Sequence, residues 1–381
     1  MSENSSNRRK RKDDRPVDVG DAQRELSRRR FLKYAGASAA AIPAYGAIMD
    51  VLSEDASAAT LKANGHIAAF ASHPHYHFVM VNHVTTNSFF TATQYAIADA
   101  CAITGCSASW VGSNNSIVSQ MVSAFNAGIA SHAAGIGCCL IDNTAFNKPV
   151  DTALSHGIPV IAYNADVSPG TKNNRMAYVG QNNLTAGAAV ANEILKLGIG
   201  KGDLVGGIIA TPGTGNIQPR LDGAKPVFKK AGVNFVEVGT SATEGAPEYA
   251  KIQSWYAGHK DAKAMMAVDS GDSNAVASFI QKNGLKGKVK ASVWDVGLQV
   301  CQGINAGYVS TTVDQQAYLQ GFDTIMQLFL YNVSGGLMKP TNTDTGLGIV
   351  TKANVKPYLG SNRFEGTSAG AKTLKPPAKI G

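Results

Sequence analysis

From residue 78 onward the chain repeats one unit: a short apolar or β-branched run, a polar turn, then a stretch with the 3.6-residue apolar period of a helix. No other feature limits the fold as much. Strands separated by helix-length segments cannot pair as tight hairpins. They pair in parallel, and the helices between them cover the sheet faces. The spacing predicts strands at 78–81, 107–111, 135–141, 158–162 and 176–179, with helices over 89–103, 116–130 and 150–156. The run at 135–141 is almost unbroken in its apolarity, as a strand covered on both faces should be. A second series follows, with strands at 203–210, 235–238, 264–268, 289–293 and 308–313 and a helix after each. The last helix, 317–332, is given an apolar stripe of Leu319, Ile325, Leu328 and Phe329. The expected fold is α/β: two Rossmann-like lobes with parallel sheets, the chain returning to the first lobe at its end. A length of 381 residues, 44% of them hydrophobic, is ample for two cores.

Open α/β sheets bind ligands beyond the carboxyl ends of their strands. At those places the chain puts Asn87, Asp142, Asn164, Asp269, Asp295 and Gln315, with the aromatics Phe89, Phe90 and Trp294. Each acid alone would more often cap a helix; the recurrence of the set points to binding. Amides and carboxylates bridge neighbouring hydroxyls, and aromatic faces pack on the C–H face of a ring, so the set suits a small polyhydroxylated ligand. A hydrogen bond to a charged group contributes about 1.5–3 kcal/mol, so about four or five suffice for roughly micromolar affinity. Catalysis is not indicated. Gly213-x-Gly215-x-x-Gln218 lacks the third glycine of a dinucleotide loop, and no phosphate loop or nucleophile elbow is present. No enzyme activity and no cofactor are expected. No metal is expected either: His73, His75 and His77 alternate before the first strand, but no Cys-x-x-Cys spacing accompanies them. Cys138 and Cys139, inside an apolar run, are expected as buried thiols; Cys101 and Cys106 are close enough in sequence to pair, and an odd count of five leaves at least one cysteine unpaired.

The net charge of +8 is spread thinly, with no basic run interleaved with aromatics beyond residue 58, so nucleic-acid binding is not expected. The amino terminus reads as a targeting segment. Ser27-Arg28-Arg29-Arg30-Phe31-Leu32-Lys33 resembles the twin-arginine export signal, and Ala56-Ser57-Ala58 has the small-x-small form of a cleavage site. The stretch 34–52 is only moderately apolar and contains Pro43, too weak for a stable span. Residues 1–58 are assigned to the signal and 59–76 to a linker. With no cysteine at the cleavage site, no lipid anchor is expected.

Several short motifs together resemble a known family. Asn87-Ser-Phe-Phe90, Leu140-Ile-Asp142, Ile158-Pro-Val-Ile-Ala-Tyr-Asn164, Asn182-Asn183 with Gly187, Val268-Asp269, Trp294-Asp295, Thr312-Val-Asp-Gln315 and Thr351-Lys352 occur in the order found in type I periplasmic binding proteins. Over residues 77–356 the chain is similar to the ribose-binding-like group of sugar ABC-transporter receptors. The resemblance implies a three-stranded hinge near Asn182, Gln315 and Thr343. It implies lobe 1 over 77–182 plus 316–343, lobe 2 over 183–315 plus 344–360, and a flexible tail over 361–381. It implies ligand contacts from Asn87, Phe89, Phe90, Asp142, Asn164, Gln218, Asp269, Trp294, Asp295 and Gln315. The function implied is a monomeric solute receptor, periplasmic or extracellular, that closes on a sugar and delivers it to a membrane ABC permease or a sensor receptor. Two family arginines are replaced, one by Ala165 and one by Gln218, while Asp142, Asp269 and Asp295 remain with Asp166 nearby. Like charges this close are costly to desolvate without a cation. An amine-bearing ligand would supply one; a neutral sugar with one carboxylate turned away is the other reading.

Overall fold

Strand β1 (His77–Asn82) forms from the fully apolar run Phe78-Val-Met-Val81, buried at every position after His77. It is described in a computed structural model that covers residues 70, 72–241, 245–360 and 377. The predicted export signal, most of the linker and all of the tail but Pro377 lie outside these residues. After a 3-10 turn (Ser88–Phe90) come α1 (Thr91–Thr104), β2 (Ser107–Gly112), α2 (Val118–Ala130), β3 (Gly135–Cys138), α3 (Asn147–Ser155), β4 (Val160–Tyr163) and β5 (Ala177–Gly180). The chain then runs through α4 (Asn183–Lys196), β6 (Leu204–Ile209), α5 (Gln218–Ala231), β7 (Asn234–Gly239), α6 (Ala246–Gly258), β8 (Ala264–Ala267), α7 (Ser270–Lys282), β9 (Lys290–Trp294), α8 (Leu298–Ala306) and β10 (Thr311–Asp314). Last come α9 (Ala317–Val333), β11 (Thr343–Asp344), β12 (Gly348–Val350) and a 3-10 turn (Lys356–Leu359).

The strands make two six-stranded sheets, β11-β5-β4-β3-β1-β2 and β12-β10-β9-β8-β6-β7, parallel throughout except for β12, which runs antiparallel to β10. Leaving out the short edge strands β11 and β12, both sheets have the same doubly wound order, with a switch point between β1 and β3 in lobe 1 and between β6 and β8 in lobe 2. In lobe 1, α1 and α9 cover one face and α2 and α3 the other; in lobe 2, α4 and α5 face α6, α7 and α8 across the sheet. Glycine sets how close these layers come. A Cβ on Gly137 would lie 2.6 Å from Met80 Sδ and 3.0 Å from Thr324, so α9 sits flat on β3. A Cβ on Gly187 would lie 1.9 Å from the Arg220 carbonyl oxygen, so α4 and α5 touch backbone to backbone there.

Three connections join the lobes: β5 to α4, β10 to α9, and β11 to β12. Some elements differ from their predicted form. The last strand of lobe 2 begins at Thr311, because Tyr308 N and Val309 N bond back to Gly303 O at the end of α8. The third strand stops at Cys138; beyond it Cys139 N and Leu140 N bond outward to Val81 and Ala165. Leu319 is 39% exposed rather than part of the α9 stripe. It stands six residues from Ile325, about 240° round a helix of 3.6 residues per turn. All five cysteines are buried thiols; Cys101 and Cys106 do not pair. His75 Nε2 and His77 Nδ1 both hydrogen-bond Ser107 Oγ, at 2.9 and 2.8 Å.

Candidate ligand-binding site

Among the described residues, four of the five non-glycine positions with positive φ stand at the cleft or its hinge: Ser116, Asn164, Asp295 and Gln316. Asn164 and Asp295 are counterparts in the two lobes. Each directly follows a central strand, β4 or β9, after a fully buried aromatic, Tyr163 or Trp294. Asn and Asp tolerate the left-handed region better than other residues, and strained backbone is concentrated at functional sites. Here it turns both polar side chains into the space between the lobes.

That space is a cavity of about 90 Å³, lined by His83, Asn87, Phe89, Phe90, Ser116, Asn164, Arg220, Asp269, Asp295 and Gln315, among others. That is several times the roughly 10–15 Å³ needed to hold one water, so the space admits the polar groups of a small ligand. Phe89 and Phe90 meet edge to face at 4.7 Å and form its apolar wall. The polar wall is one network. Gln315 Nε2 donates to Asp295 Oδ1 (2.7 Å), and Gln315 Oε1 accepts from Arg220 Nη2 (3.3 Å) and Asn164 Nδ2 (3.5 Å). Arg220 also donates from Nε to Asn183 Oδ1 (3.0 Å) and from Nη1 to Val268 O (2.6 Å), with its guanidinium 5.2 Å from the Trp294 ring centre. Across the cleft, Asn87 Nδ2 donates to Ser270 Oγ at 3.3 Å, tying lobe 1 to lobe 2.

Burial governs the charges. It pushes Asp295 up to about 6, against the pull of Arg220 and the Gln315 hydrogen bond. Burial, and secondarily Arg220, pushes His83 down to about 4, so this imidazole is neutral. Asp269 is raised by burial although its oxygens accept from Asp272 N and Ala210 N. Asp272 behind it is pushed up to about 10 by burial, Asp269 and Glu248, so at neutral pH it carries the proton of an acid pair. Glu248, Asp269 and Asp272 bring carboxylate oxygens within 4.8 Å of one another.

Seven predicted residues line the cavity: Asn87, Phe89, Phe90, Asn164, Asp269, Asp295 and Gln315. Three do not. Trp294 has no exposed surface; it lies under Arg220 and donates Nε1 to Gln181 Oε1 (3.1 Å) in the hinge. Gln218 points outward, its Nε2 donating to Glu237 Oε2 (3.1 Å) and its Oε1 accepting from Gly213 N (2.7 Å). Asp142 caps the turn before α3, accepting from Thr144 N (2.8 Å) and Ala145 N (2.7 Å). Sequence reasoning missed His83 and, with more consequence, Arg220, which is 3% exposed. It supplies the cation that the reading from Gln218 had removed, so the premise for an amine-bearing ligand falls away. A signal was present: among the described residues the chain has many lysines but only two arginines, Arg175 and Arg220.

The family profile described as a periplasmic binding protein domain matches residues 78–334. The chain is 39% identical over 312 residues to the xylose/arabinose-binding protein XylF of Sulfolobus acidocaldarius, covering 79% of this chain and 77% of that one. It is 28% identical over 193 residues to the D-ribose/D-allose-binding protein of Pseudomonas aeruginosa, covering 49% and 60%. Among solved structures, the fold is shared with an ABC transporter solute-binding protein of Burkholderia graminis in complex with D-arabinose (TM-score 0.69, 24% identity, 75% of this chain and 99% of that one). It is shared too with GanP, a glucose-galactose binding protein from Geobacillus stearothermophilus (TM-score 0.68, 20% identity, 74% and 100%). With two doubly wound lobes, three connections and a polar cavity between them, the chain belongs to the periplasmic binding protein family.

Proposed function

We propose that this chain is the extracytoplasmic solute-binding protein of an ABC importer and that it holds a neutral sugar or sugar-like polyol in the interlobe cavity. The observation that carries the reading is the Arg220–Gln315–Asp295 network. It presents charged and amide groups from lobe 2 and the hinge opposite Asn87, Phe89 and Asn164 of lobe 1. A ring with several hydroxyls satisfies both walls at once, and a ligand that contacts both lobes favours the closed form; hinge closure is known for this class of protein. The relatives named above are binding proteins for aldose sugars, and the reading is of a binder rather than an enzyme. The seven cavity-lining residues from Asn87 to Gln315 named above serve as ligand contacts, together with Arg220 and His83. Lobe 1 is taken as 77–182 plus 316–343 and lobe 2 as 183–315 plus 344–360. The protein works as a monomer and passes its ligand to a membrane permease or a sensor receptor.

Among the described residues no helix is long and apolar enough to cross a membrane. The Ser27–Lys33 motif directs export by the twin-arginine route; replacing Arg28 and Arg29 by lysine should leave the protein inside the cell. Calorimetry with pentoses and hexoses tests the ligand class. Micromolar or tighter binding of a neutral aldose is expected, and binding of amino sugars alone would overturn the reading.

A further inference from the structure

A second and larger cavity adjoins the inner one. This outer cavity, about 390 Å³, is walled by Asn115, Asp142 and Thr144 from lobe 1 and by the loop from Thr211 to Thr214 from lobe 2. The two cavities share Ser116, Thr211 and Asn216 as a common rim. Ser116 sits there with φ of 57°, held by its N–H to His83 O at 2.8 Å. We propose that the outer cavity is a second sugar subsite, so that the ligand is a disaccharide or other short glycoside with one ring in the inner cavity and a second, hydroxyl-rich unit outside it.

The proposal rests on the sugar-binding reading above and extends it. Whereas the inner cavity has aromatic walls, the outer one has none; it sets amides, hydroxyls and one carboxylate beside the aliphatic Val118, Ile141 and Pro212. The polar groups match a unit that stays partly hydrated. Asp142 is built to take part. Its Oδ1 accepts from Thr144 N, Ala145 N and Thr144 Oγ1, which leaves Oδ2 for a ligand hydroxyl. The backbone N–H groups of Ala145 and Thr144 also hold its pKa below the usual carboxylate value, so it stays an acceptor. Gln218 braces the opposite wall through Gly213 N. Two residues read from the sequence as ligand contacts, and placed outside the inner cavity, therefore both shape the outer one. Because its walls come from both lobes, a second unit adds cross-lobe contacts and favours closure.

Calorimetry on the full chain, with pentoses and hexoses set beside their 1,4-linked disaccharides and methyl glycosides, tests this. A disaccharide is expected to bind at least tenfold more tightly than its monosaccharide. Combining Asn115→Ala with Thr144→Val should cut that advantage below threefold while the monosaccharide affinity stays within twofold. If monosaccharides bind tightly and every glycoside is excluded, the outer subsite is refuted and the sugar reading stands. Binding of neither group overturns both.

Discussion

Gln315 donates to Asp295 at 2.7 Å while its carbonyl oxygen takes hydrogen bonds from Arg220 and Asn164. One side chain in the hinge thus links the left-handed polar residue of each lobe to Arg220, the buried cation of the cleft. Gln315 is itself pinned, since its backbone oxygen accepts from Gln320 Nε2 (2.9 Å) and Thr345 Oγ1 (2.8 Å). Its role is to orient Asp295 and Arg220 as much as to meet the ligand. Gln315→Ala should therefore weaken sugar binding by roughly 10- to 150-fold, the equivalent of one hydrogen bond to a charged group at about 1.5–3 kcal/mol. The backbone bonds of the hinge should survive. Titration calorimetry paired with a thermal melt of the unliganded protein checks this; unchanged affinity would remove Gln315 from the site.

Arg220 and Trp294 form a second pair whose parts are not interchangeable. The guanidinium divides its donors among Asn183, Val268 and Gln315 and rests on the indole face. Lysine offers a compact charge without that fork. Arg220→Lys should retain the fold but lose tenfold or more in affinity. Arg220→Ala should lose over a hundredfold, because Asp295 and Asp269 are then buried with no cation. Equal effects of the two substitutions would mean that only the charge matters.

Acidity should act through Asp295. Its folded value of about 6 lies above the ordinary carboxylate range because of burial. A ligand hydroxyl donating to the ionised carboxylate lowers that value, so binding releases a proton. Affinity is then flat above about pH 6 and falls below it, with a limit of about tenfold per pH unit. Calorimetry at several pH values, in buffers that differ in ionisation heat, reads both the slope and the proton count. Proton uptake on binding would contradict the assignment.

The lobes were legible in the sequence because strand and helix periods, and the short apolar runs between polar turns, are local properties. The cleft residues at strand ends followed from topology alone. Asn164 and Asp295 could be placed without knowing any contact. What a neighbouring element decides was not legible. Gln218 and Arg220 stand two positions apart, about 200° round a helix, and which of them faces the cleft depends on how α5 crosses α4 at Gly187. Trp294 is the last residue of β9 and packs in the core, whereas Asp295 lies just past the strand, where its left-handed backbone turns the carboxylate into the cleft. Asp142 was displaced because its strand ends at Cys138, four residues earlier than the position given to it.

The acid pair behind the cavity should govern stability in base. Asp272 titrates near 3.8 in an unfolded chain and at about 10 in the folded one. The folded protein therefore holds a proton that the unfolded chain gives up. This contribution is complete below about pH 4 and is lost as pH rises toward 10, with a limiting slope of about 1.4 kcal/mol per pH unit. Asparagine has the shape of the protonated acid. It can accept from Thr240 Oγ1, which now lies 2.8 and 2.9 Å from the two Asp272 oxygens, and it can donate to Asp269. Asp272→Asn should fold, and its denaturant midpoint should fall less between pH 6 and about 9 than that of the parent protein. Guanidinium melts across that range measure the difference. A mutant that loses stability with pH as steeply as the parent would show that Asp272 is already ionised, and that Asp269 or Glu248 holds the proton instead.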